Sequence, residues 1–554
     1  MRRQNKILST QCIKLSSSKS EPNILKSVYN DIPKINGTIN DFVWQNLDRW
    51  PDKTAVVCAA TGHGYTYEQT HRMSISIAAS LRAKLRLQNG DVVAVALPNM
   101  PEYPCTVLGI LEAGCVASLL NPAYTPHELK RLLELVDCKA VVTTAPVYPK
   151  VVEALKGSKR RPILVVGHGE LPEGALSFTE FAADRAVDTD CLRSARRAPG
   201  DLALLPFSSG TSGLPKAVRL THGSVVAMNQ MIYDPDVLAI DEATASFQSA
   251  VPAVLPFFHI FGLNAVMMNL LGRGCKLITF PAFEPQLFLE TIVKQRVEHL
   301  YIVPPMVALL GAHPAASAEA LASVRGVVSG AAPLAPEDVQ PLLAKNRRLV
   351  FRQGYGLTET NGGVSVGGKA DRNHAAVGHV FGSCELKVAH PDSLQALGPG
   401  QEGEIWVRGP NLMSGYLGSE EEGLVDGWFR TGDLGRYDQR GYLYITDRLK
   451  DLIKVKGFQV APAELEAVLR THPAVLECGV VGVGVGAGGG RGGEEPLAFV
   501  VLRGGEHPSA GALAAYVNAR VAPFKRVREV RVVRELPRGP AGKVLRRALR
   551  DRYC

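Results

Sequence analysis

The chain has 554 residues, of which 46% are hydrophobic and 21% are charged. This length and apolar content are typical of a globular protein with several domains, and they exclude a wholly disordered chain. The formal net charge is +9, but the first twenty residues hold Arg2, Arg3, Lys6, Lys14 and Lys19 and no acidic residue. The rest of the chain is only mildly basic, and we therefore expect no nucleic-acid partner.

Residues 1–37 are expected to form a basic tail that is either disordered or a targeting segment. Its serine-rich, acid-poor start is typical of an organellar transit peptide, so mitochondrial and cytoplasmic locations both stay open. The C-terminal Arg552-Tyr553-Cys554 is not a peroxisomal SKL-type signal. The ten cysteines are scattered singly, without CxxC pairs or zinc-like spacing, which favours reduced thiols in an intracellular protein.

Patterns of helix and strand alternate after this tail. Thr38–Ala60 predicts an amphipathic helix, a turn and a buried strand, and Thr66–Arg86 predicts a second helix. Val92–Leu97, Ala140–Thr144 and Ile163–Val166 predict short buried strands. Apolar strands that alternate with helices indicate an α/β fold with parallel-rich sheets flanked by helices.

One stretch without charged residues, Ala243–Gly272, is long enough to cross a bilayer. Pro252, Pro256 and Asn264 interrupt it, and such irregular backbone would leave hydrogen bonds unsatisfied in lipid. We therefore predict a strand, a loop and a helix in a protein core, and no transmembrane segment.

The sequence changes character after about Asp433, where a charged segment precedes a small region with an α+β pattern. We predict a domain boundary at residues 448–451, between an N-terminal domain (38–447) and a small C-terminal α+β domain (452–554). Gly482–Gly493 is too rich in glycine for a helix or a packed strand, so we predict a flexible surface loop. A phosphate-binding loop is the alternative there, but no Lys-Ser or Lys-Thr pair accompanies it.

The segment Leu204–His222, LLPFSSGTSGLPKAVRLTH, has the composition of a phosphate-binding loop. Glycines let the backbone wrap a polyanion, hydroxyl and N–H groups donate to phosphate oxygens, and Lys216 adds a positive charge. It is not a Walker A motif, because it contains no Gly-Lys-Ser or Gly-Lys-Thr run. An ordinary Ser/Gly hairpin is the alternative interpretation.

The loop SSGTSGLPK resembles the phosphate loop of the acyl-adenylate-forming superfamily, which includes acyl-CoA synthetases, 4-coumarate:CoA ligases and beetle luciferases. Ser212 and Ala217 stand where Thr and Gly are commoner, and both changes are small. Six further motifs follow in the order of that superfamily, so the resemblance extends over about Thr38–Leu549. It implies that the ATP phosphates are bound by Ser208, Ser209, Gly210, Thr211, Ser212, Gly213 and Lys216.

Two further motifs, SGAAPL (Ser329–Leu334) and QGYGLTET (Gln353–Thr360), resemble the strand ends that enclose adenine. Tyr355 is implied to stack on the base, and Glu359 with Thr211 to hold Mg²⁺. The implied nucleotide contacts from these two motifs are Gly330, Ala331, Ala332, Gln353, Gly354, Tyr355, Gly356 and Thr358.

LPFFHIFGLN (Leu255–Asn264) resembles the segment whose histidine, here His259, borders and gates the acyl pocket. GWFRTGDLG (Gly427–Gly435) places Asp433 where the superfamily uses a carboxylate on the ribose hydroxyls. Without the resemblance, the histidine would be interpreted as a core residue and the aspartate as a turn former.

DRLKDLIKVKGFQVAPAELE (Asp447–Glu466) and PRGPAGKVLRR (Pro537–Arg547) resemble the last two motifs. They imply that the C-terminal domain is mobile and that Lys543 is the lysine required for adenylation. The other implied roles are ribose contact for Arg448, the hinge for Lys450, thioester formation for Lys454 and Gln459, and CoA binding for Lys456 and Gly457.

The resemblance implies an ATP-dependent carboxylic acid:CoA ligase, with ATP, CoA and a small carboxylic acid as substrates and Mg²⁺ as cofactor. It would form an acyl-adenylate and pyrophosphate, and then an acyl-CoA thioester and AMP. A luciferase-like oxygenase and a non-catalytic binding protein are the alternatives. The sequence does not indicate an oligomeric state.

Two positions bear on the acid. Phe261 stands where plant 4-coumarate ligases commonly have Tyr, and Ala265 stands where they commonly have Ser. Both changes remove a hydroxyl group, and a pocket that cannot bind a phenol by hydrogen bonds has no reason to prefer one. We therefore expect an apolar substrate, either a fatty acid or an aryl or phenylpropanoid acid.

Overall fold

The computed structural model describes most of the chain. The described residues are 23–158, 161–167, 169–184, 186–208, 215–332, 334–419, 422–455, 458–484, 494–506, 508–521, 523–539 and 544–553. Within them, no helix combines the length and the apolar character that a membrane span requires.

Helices surround the sheets along the whole chain. The α-helices are α1 Ile39–Trp44, α2 Tyr67–Ala83, α3 Glu102–Glu112, α4 Pro126–Leu135, α5 Tyr148–Ala154, α6 Phe178–Ala182, α7 His222–Ile232, α8 Asn269–Leu271, α9 Pro285–Lys294, α10 Pro304–Ala312, α11 Pro336–Lys345, α12 Pro462–Arg470, α13 Ala510–Asn518 and α14 Arg546–Tyr553. Short 3₁₀ helices cover Leu47–Arg49, Thr189–Ser194, Thr358–Thr360, Leu449–Asp451 and Pro523–Lys525, and Phe261–Met268 is a π-helix.

The strands are mostly short. They are β1 Leu25–Lys26, β2 Thr54–Cys58, β3 Gly64–Thr66, β4 Val92–Ala96, β5 Val116–Leu119, β6 Ala140–Thr144, β7 Ile163–Val166, β8 Leu176–Ser177, β9 Leu202–Leu205, β10 Phe207–Ser208, β11 Lys216–Ala217, β12 Leu220–Thr221, β13 Ala250–Ala253, β14 Lys276–Thr279, β15 His299–Ile302, β16 Gly326–Ser329, β17 Val350–Tyr355, β18 Ser365–Val366, β19 His379–Val380, β20 Glu385–Ala389, β21 Ala396–Leu397, β22 Gly403–Arg408, β23 Leu424–Val425, β24 Trp428–Tyr437, β25 Leu443–Arg448, β26 Ile453–Val455, β27 Phe458–Val460, β28 Val475–Gly484, β29 Glu494–Leu502 and β30 Glu529–Val532.

Three parallel-rich sheets form the centre of the large N-terminal part. The first has the order β12-β9-β5-β4-β6-β7-β8, with β12 antiparallel to β9 and the other pairs parallel. The second has the order β13-β14-β2-β3, and the third has the order β15-β16-β17-β18-β19. Strands such as β4, VVAVA, are apolar throughout because helices cover both faces of a parallel sheet. The predicted α/β fold is therefore confirmed.

An antiparallel sheet completes this part of the chain. Its order is β1-β20-β22-β24-β23, with β21 on β20 and β25 on β24. β25 leads into the 3₁₀ helix Leu449–Asp451, and beyond it β26 and β27 form a hairpin. β28, β29 and β30 then form a small sheet that packs with α12 and α13 around a hydrophobic core of its own. The boundary at residues 448–451 stays a prediction.

Local sequence explains where several helices begin. Thr38, Thr66, Thr125 and Thr221 each precede a helix, and each side chain accepts a hydrogen bond from the backbone three residues later. The residue at that third position bonds back to the threonine, so both ends of the capping box are present. The predicted helices and strands of the first 170 residues accordingly start within a few residues of their expected positions.

The uncharged stretch Ala243–Gly272 contains β13, the π-helix and α8, as predicted for a protein interior. The prediction for the glycine-rich segment was partly wrong, because β28 continues through Gly484 and Gly482 is buried. A side chain at Gly482 would come within 3.0 Å of the carboxylate of Glu494 on the paired strand β29. Glycine is therefore used here for close approach within a packed hairpin. Residues 485–493 of the predicted loop lie outside the described residues.

Candidate active site

A cavity of about 1480 Å³ lies where the parallel sheets, the antiparallel sheet and α14 meet. We call its wall from Leu119 to Asp451 the floor, and its wall from Gly539 and 544–551 the cover. Residues at the carboxyl ends of β16 and β17 line the cavity. The carboxyl ends of parallel strands are where ligands bind in open α/β sheets.

Most of the described predicted site residues are on the wall of this one cavity. They are Ser208, Lys216, His259, Phe261, Ala265, Gly330, Ala331, Gly354, Tyr355, Gly356, Thr358, Glu359 and Arg448. Three others, Ala332, Gln353 and Asp433, are not part of the wall. The Gln353 amide instead donates to the backbone oxygens of Leu334 and His374, at 3.0 and 2.7 Å, and so ties the two predicted adenine-binding segments together.

Other predicted site residues lie outside the described residues: Ser209, Gly210, Thr211, Ser212, Gly213, Lys456, Gly457 and Lys543. The side chains of Lys450, Lys454 and Gln459 are also outside what the structure describes. The two ends of the phosphate loop are described, and Ser208 on β10 pairs with Lys216 on β11 in antiparallel register. The backbones of Lys454 and Gln459 pair across the β26–β27 hairpin, so the two predicted thioester residues are direct neighbours.

Asp433 lies directly behind the cavity wall, and two wall residues hold its carboxylate. The Arg448 guanidinium Nε lies 2.8 Å from Oδ1, and the Tyr355 hydroxyl donates to Oδ2 at 2.7 Å. The carboxylate is 4% exposed, so water screens this pair weakly. Burial lowers the pKa of Arg448, but the charges of Asp433, Tyr355, Asp451 and Glu359 together raise it by more, so the net shift is upward. Burial, followed by the charge of Asp433, raises the pKa of Tyr355 well above its usual value. Each carboxylate oxygen retains a lone pair that a diol could use.

Glu359 is a second buried carboxylate, on the 3₁₀ helix Thr358–Thr360. The Tyr416 hydroxyl donates to Oε1 of Glu359 at 2.9 Å, and the backbone N–H of Met413 donates to the backbone carbonyl oxygen of Glu359 at 2.8 Å. Lys216 lies 5.0 Å from the centre of the Tyr416 ring and forms an ion pair with Glu422. Tyr416 thus contacts the Glu359 carboxylate with its hydroxyl and the Lys216 ammonium with its ring.

Buried asparagines hold the turn that carries Glu359, and sequence reasoning missed them. Asn411 donates to the backbone oxygens of Thr360 and Gly363, while Asn361 donates to that of Asn411 and Asn264 to that of Asn361. Asn361 has a φ of 53°, a conformation that asparagine tolerates better than most residues. No local pattern indicates this network, since its members are far apart along the chain.

The acyl side of the cavity is bordered by the π-helix Phe261–Met268 and the residues before it. Burial lowers the pKa of His259, and its Nδ1 lies 3.4 Å from the backbone N–H of Phe261. A neutral imidazole that accepts at Nδ1 carries its proton on Nε2 and can donate from there. A side chain at Gly262 would lie 2.3 Å from the carbonyl oxygen of Pro256, so only glycine lets the helix start this close to the preceding loop.

The cover consists of residues on either side of Lys543. Arg538 and Val544 form an antiparallel bridge, and Gly539 and Val544 both line the cavity. On α14, the Arg546 guanidinium forms ion pairs with Asp451 at 3.2 Å and Glu466 at 3.0 Å. The described residues of the β26–β27 hairpin, in contrast, do not contribute to the cavity wall.

Comparisons with known proteins agree with this geometry. Family models described as AMP-binding enzyme and AMP-binding enzyme C-terminal domain match residues 43–417 and 464–543. The chain is 35% identical to 4-coumarate--CoA ligase 1 of Arabidopsis thaliana, over 100% of this chain and 99% of that protein. It is 36% identical to 4-coumarate--CoA ligase-like 9 of Oryza sativa subsp. japonica, over 93% of each. The crystal structure of ATP-bound MatB from Rhodopseudomonas palustris superposes with a TM-score of 0.81 at 29% identity, covering 94% of this chain and 99% of that one.

Proposed function

We propose that this chain, which belongs to the AMP-binding enzyme family and is an AMP-forming acid:CoA ligase, activates an apolar carboxylic acid in two steps. In the first step ATP and the acid would give an acyl-adenylate and pyrophosphate. In the second step the thiol of CoA would take the acyl group and release AMP. The single observation that carries this proposal is that one cavity joins the acyl wall at Phe261, the nucleotide wall at Tyr355 and the residues flanking Lys543.

In the first step a carboxylate oxygen of the acid attacks the α-phosphorus of ATP, and the bond to the pyrophosphate oxygen breaks. Both reactants are anions, so groups that offset negative charge and fix the line of attack lower the barrier. We assign these roles to Lys216 and Lys543. Lys216 forms an ion pair with Glu422 in the structure. The ATP phosphates would have to replace Glu422 as the partner of this lysine.

Asp433 and Tyr355 are assigned to the nucleoside. The carboxylate of Asp433 would accept hydrogen bonds from the ribose hydroxyls, while Arg448 and Tyr355 hold it in position. The aromatic face of Tyr355 would stack on the adenine ring. Because the AMP part of the molecule is present in both steps, these floor residues are expected to serve both.

The residues around Glu359 fit Mg²⁺. Tyr416 engages Oε1 of this buried carboxylate, and in the described part of the chain Oε2 has no hydrogen-bond partner. One carboxylate together with phosphate oxygens is a donor set that Mg²⁺ commonly uses in nucleotide sites. Glu359 would hold the ion with Thr211, and the bound ion would offset charge on the phosphate oxygens.

In the second step a thiolate attacks the carbonyl carbon of the adenylate, and the bond to the AMP oxygen breaks. We assign Lys454 and Gln459 to this step, Lys456 and Gly457 to CoA, and the 448–451 segment with Lys450 to the hinge. The small domain would turn so that the β26–β27 hairpin replaces the 539–551 segment at the cavity. The absence of the described hairpin residues from the wall supports the view that this structure has the pose of the first step.

The test is an assay of AMP release with ATP, Mg²⁺, CoA and a panel of fatty and aryl acids. We expect AMP release that depends on both the acid and CoA, with an acyl-CoA as the second product. Light emission with luciferin as the acid, with ATP and without CoA, would instead support the luciferase-like alternative. No AMP with any acid would contradict the proposed function.

A further inference from the structure

Arg352 is a buried cation that the reaction described above does not use. It lies on β17, two residues before Gly354, and both residues line the cavity. Only 5% of its surface is exposed. Residues two apart on a strand point to the same face and are about 7 Å apart. Arg352 therefore lines the same face of β17 as Gly354, about 7 Å closer to the start of the strand. Gly354 has no side chain to cover the wall at its own position.

Its guanidinium is only partly satisfied by the protein. Nη1 donates to the backbone oxygens of Val237, at 2.5 Å, and Gly367, at 3.3 Å. Among the described residues, Nε and Nη2 have no acceptor and no carboxylate lies within ion-pair distance of the group. Asp371 is near enough to affect it electrostatically, but its carboxylate accepts from Tyr442 and from the backbone of Gly368. Burial lowers the pKa of Arg352, as expected for a cation without a close counter-charge.

A second donor faces the same end of the cavity. Tyr301 on β15 lines the wall and is buried, and its hydroxyl has no hydrogen-bond partner in the described part of the chain. Tyr301 pairs with Val328, and Val328 pairs with Arg352, so the two side chains lie on the same face of the sheet, two strands apart. Burial raises the pKa of Tyr301 to about 12, while the charge of Arg352 acts in the opposite direction. The phenol therefore stays protonated and available as a donor at neutral pH.

The wall of the same cavity also has many apolar side chains. It includes Val237, Leu238, Phe261, Ala265, Val328 and Val366. A monocarboxylic acid with an apolar tail would cover these side chains and leave a buried charge without a partner, which is unfavourable. A ligand with a carboxylate at the far end of an apolar body would satisfy both the wall and the guanidinium.

We propose that Arg352, with Tyr301, forms a subsite for a second carboxylate, and that the preferred substrates are dicarboxylic acids with an apolar body. This inference rests on the proposed ligase function and narrows its substrate class. The reacting carboxylate would lie at the His259 side, and the second carboxylate would accept from the free nitrogens of Arg352 and from the Tyr301 hydroxyl. The apolar acid expected from Phe261 and Ala265 is retained as the body of the molecule.

The test compares acids that differ only at the far end. The pairs are octanoate with octanedioate and cinnamate with 4-carboxycinnamate, and 7-oxooctanoate offers a neutral acceptor. We expect kcat/KM for CoA-dependent AMP formation to favour the diacid in at least one pair, by about ten-fold or more. In Arg352→Met the ratio of diacid to monoacid should fall by about 100-fold, because the site rejects an acceptor it can no longer pair. Arg352→Lys should restore part of the preference.

Arg348→Met is the matched control, because this exposed arginine precedes β17 and does not line the cavity. Its diacid ratio should equal that of the unaltered enzyme. Preference for the monoacid or for the oxo acid over the diacid in the unaltered enzyme would overturn the subsite. An equal loss with both acids in Arg352→Met would also overturn it, because that result indicates a structural role. If no acid gives AMP, the proposed function itself fails, which is a distinguishable result.

Discussion

The floor and the cover of the cavity hold their polar groups in different ways. At the floor, Glu359 in the wall and Asp433 directly behind it are buried, and each carboxylate accepts a hydrogen bond from a tyrosine hydroxyl. Buried asparagines hold the turn that carries Glu359. In the cover, Arg546 is held by Asp451, the last residue of the 448–451 segment, and by Glu466 in the small C-terminal part. The polar groups of the floor are thus held by the large part, whereas Arg546 of the cover is held by the segment and by the small part.

This difference fits the proposed division of labour. A group that serves both steps must stay in place, and a group that serves one step can leave with the small domain. The floor should therefore affect both half-reactions when altered, whereas the cover should affect one. Each of the following predictions tests that contrast, or the stability of the part that carries the floor.

The largest effect is expected for Lys543→Ala. Removing a charge aimed at the reacting phosphate typically lowers a rate by about 100- to 1,000-fold, and we expect the upper end of that range. Acid-dependent exchange of pyrophosphate into ATP should fall by about 1,000-fold, while thioester formation from a supplied acyl-adenylate should be largely retained. Arg552→Ala, on an outward part of α14, is the control. Equal losses in the two half-reactions would refute the contrast.

Asp433→Asn should affect both half-reactions. The substitution removes the charge opposite Arg448 and weakens the acceptor for the ribose hydroxyls, so AMP-containing species lose a contact in each step. We expect kcat/KM to fall by about 100-fold for adenylation and by a similar factor for thioester formation. Glu385→Gln, which removes an acid paired with Arg408 in the same sheet, is the matched control. A loss confined to one half-reaction would contradict the assignment of Asp433 to both steps.

The part that carries the floor should also be sensitive to acid. His222 is 2% exposed, and burial lowers its pKa from 6.5 to about 4. Between these values the unfolded chain binds more protons than the folded one, so stability falls as the pH falls from about 6.5 to 4. From pH 7 to pH 5 this histidine should cost about 2 kcal/mol of unfolding free energy.

His222→Asn should remove that contribution while keeping a polar acceptor near the backbone N–H of Ile39. Urea unfolding at pH 7 and pH 5 would measure it. His472→Asn, in the small C-terminal part, is the control, and we expect it to leave the pH dependence unaltered. The same pH dependence in His222→Asn and in the unaltered protein would rule out this explanation.

The smallest effect is expected for Tyr416→Phe. The variant loses one hydrogen bond to Glu359, which is worth about 0.5–1.5 kcal/mol, or roughly 3- to 10-fold in rate. Adenylation should slow by that factor and require more Mg²⁺ for half-maximal rate, and thioester formation should change less. Tyr444→Phe, which removes a hydroxyl bonded to Asp438, is the control. An unchanged Mg²⁺ requirement would indicate that Tyr416 does not orient Glu359.

Much of the fold was predictable because its strands carry local signals. β6 and β7 begin and end at the predicted residues, since short apolar runs bounded by polar residues indicate buried parallel strands. The residues that meet at the cavity were predictable from seven motifs, each contiguous in sequence. What they have in common is that the information lies within about twenty residues.

The features that were missed depend on contacts between distant residues. Glu422 pairs with Lys216, 206 positions away, and Asn264 donates to the backbone oxygen of Asn361, 97 positions away. A single sequence has no pattern that connects residues so far apart. Gln353 was expected to bind nucleotide, but its amide is used to join two backbone segments. The burial of Arg352 was equally unpredictable, because an arginine next to the QGYGLTET motif can be exposed or buried and the local sequence does not distinguish the two.

The π-helix Phe261–Met268 gives the acyl wall an unusual kind of adjustability. A π-helix carries extra chain relative to an α-helix of the same length, so loss of one residue can return it to regular α geometry. The residues that follow the π-helix would then keep their faces, because the extra residue is accommodated locally. In a regular α-helix the same deletion would turn every following side chain by about 100° around the helix axis. A deletion within Phe261–Met268 would thus alter the acyl wall locally and leave the rest of the helix in place.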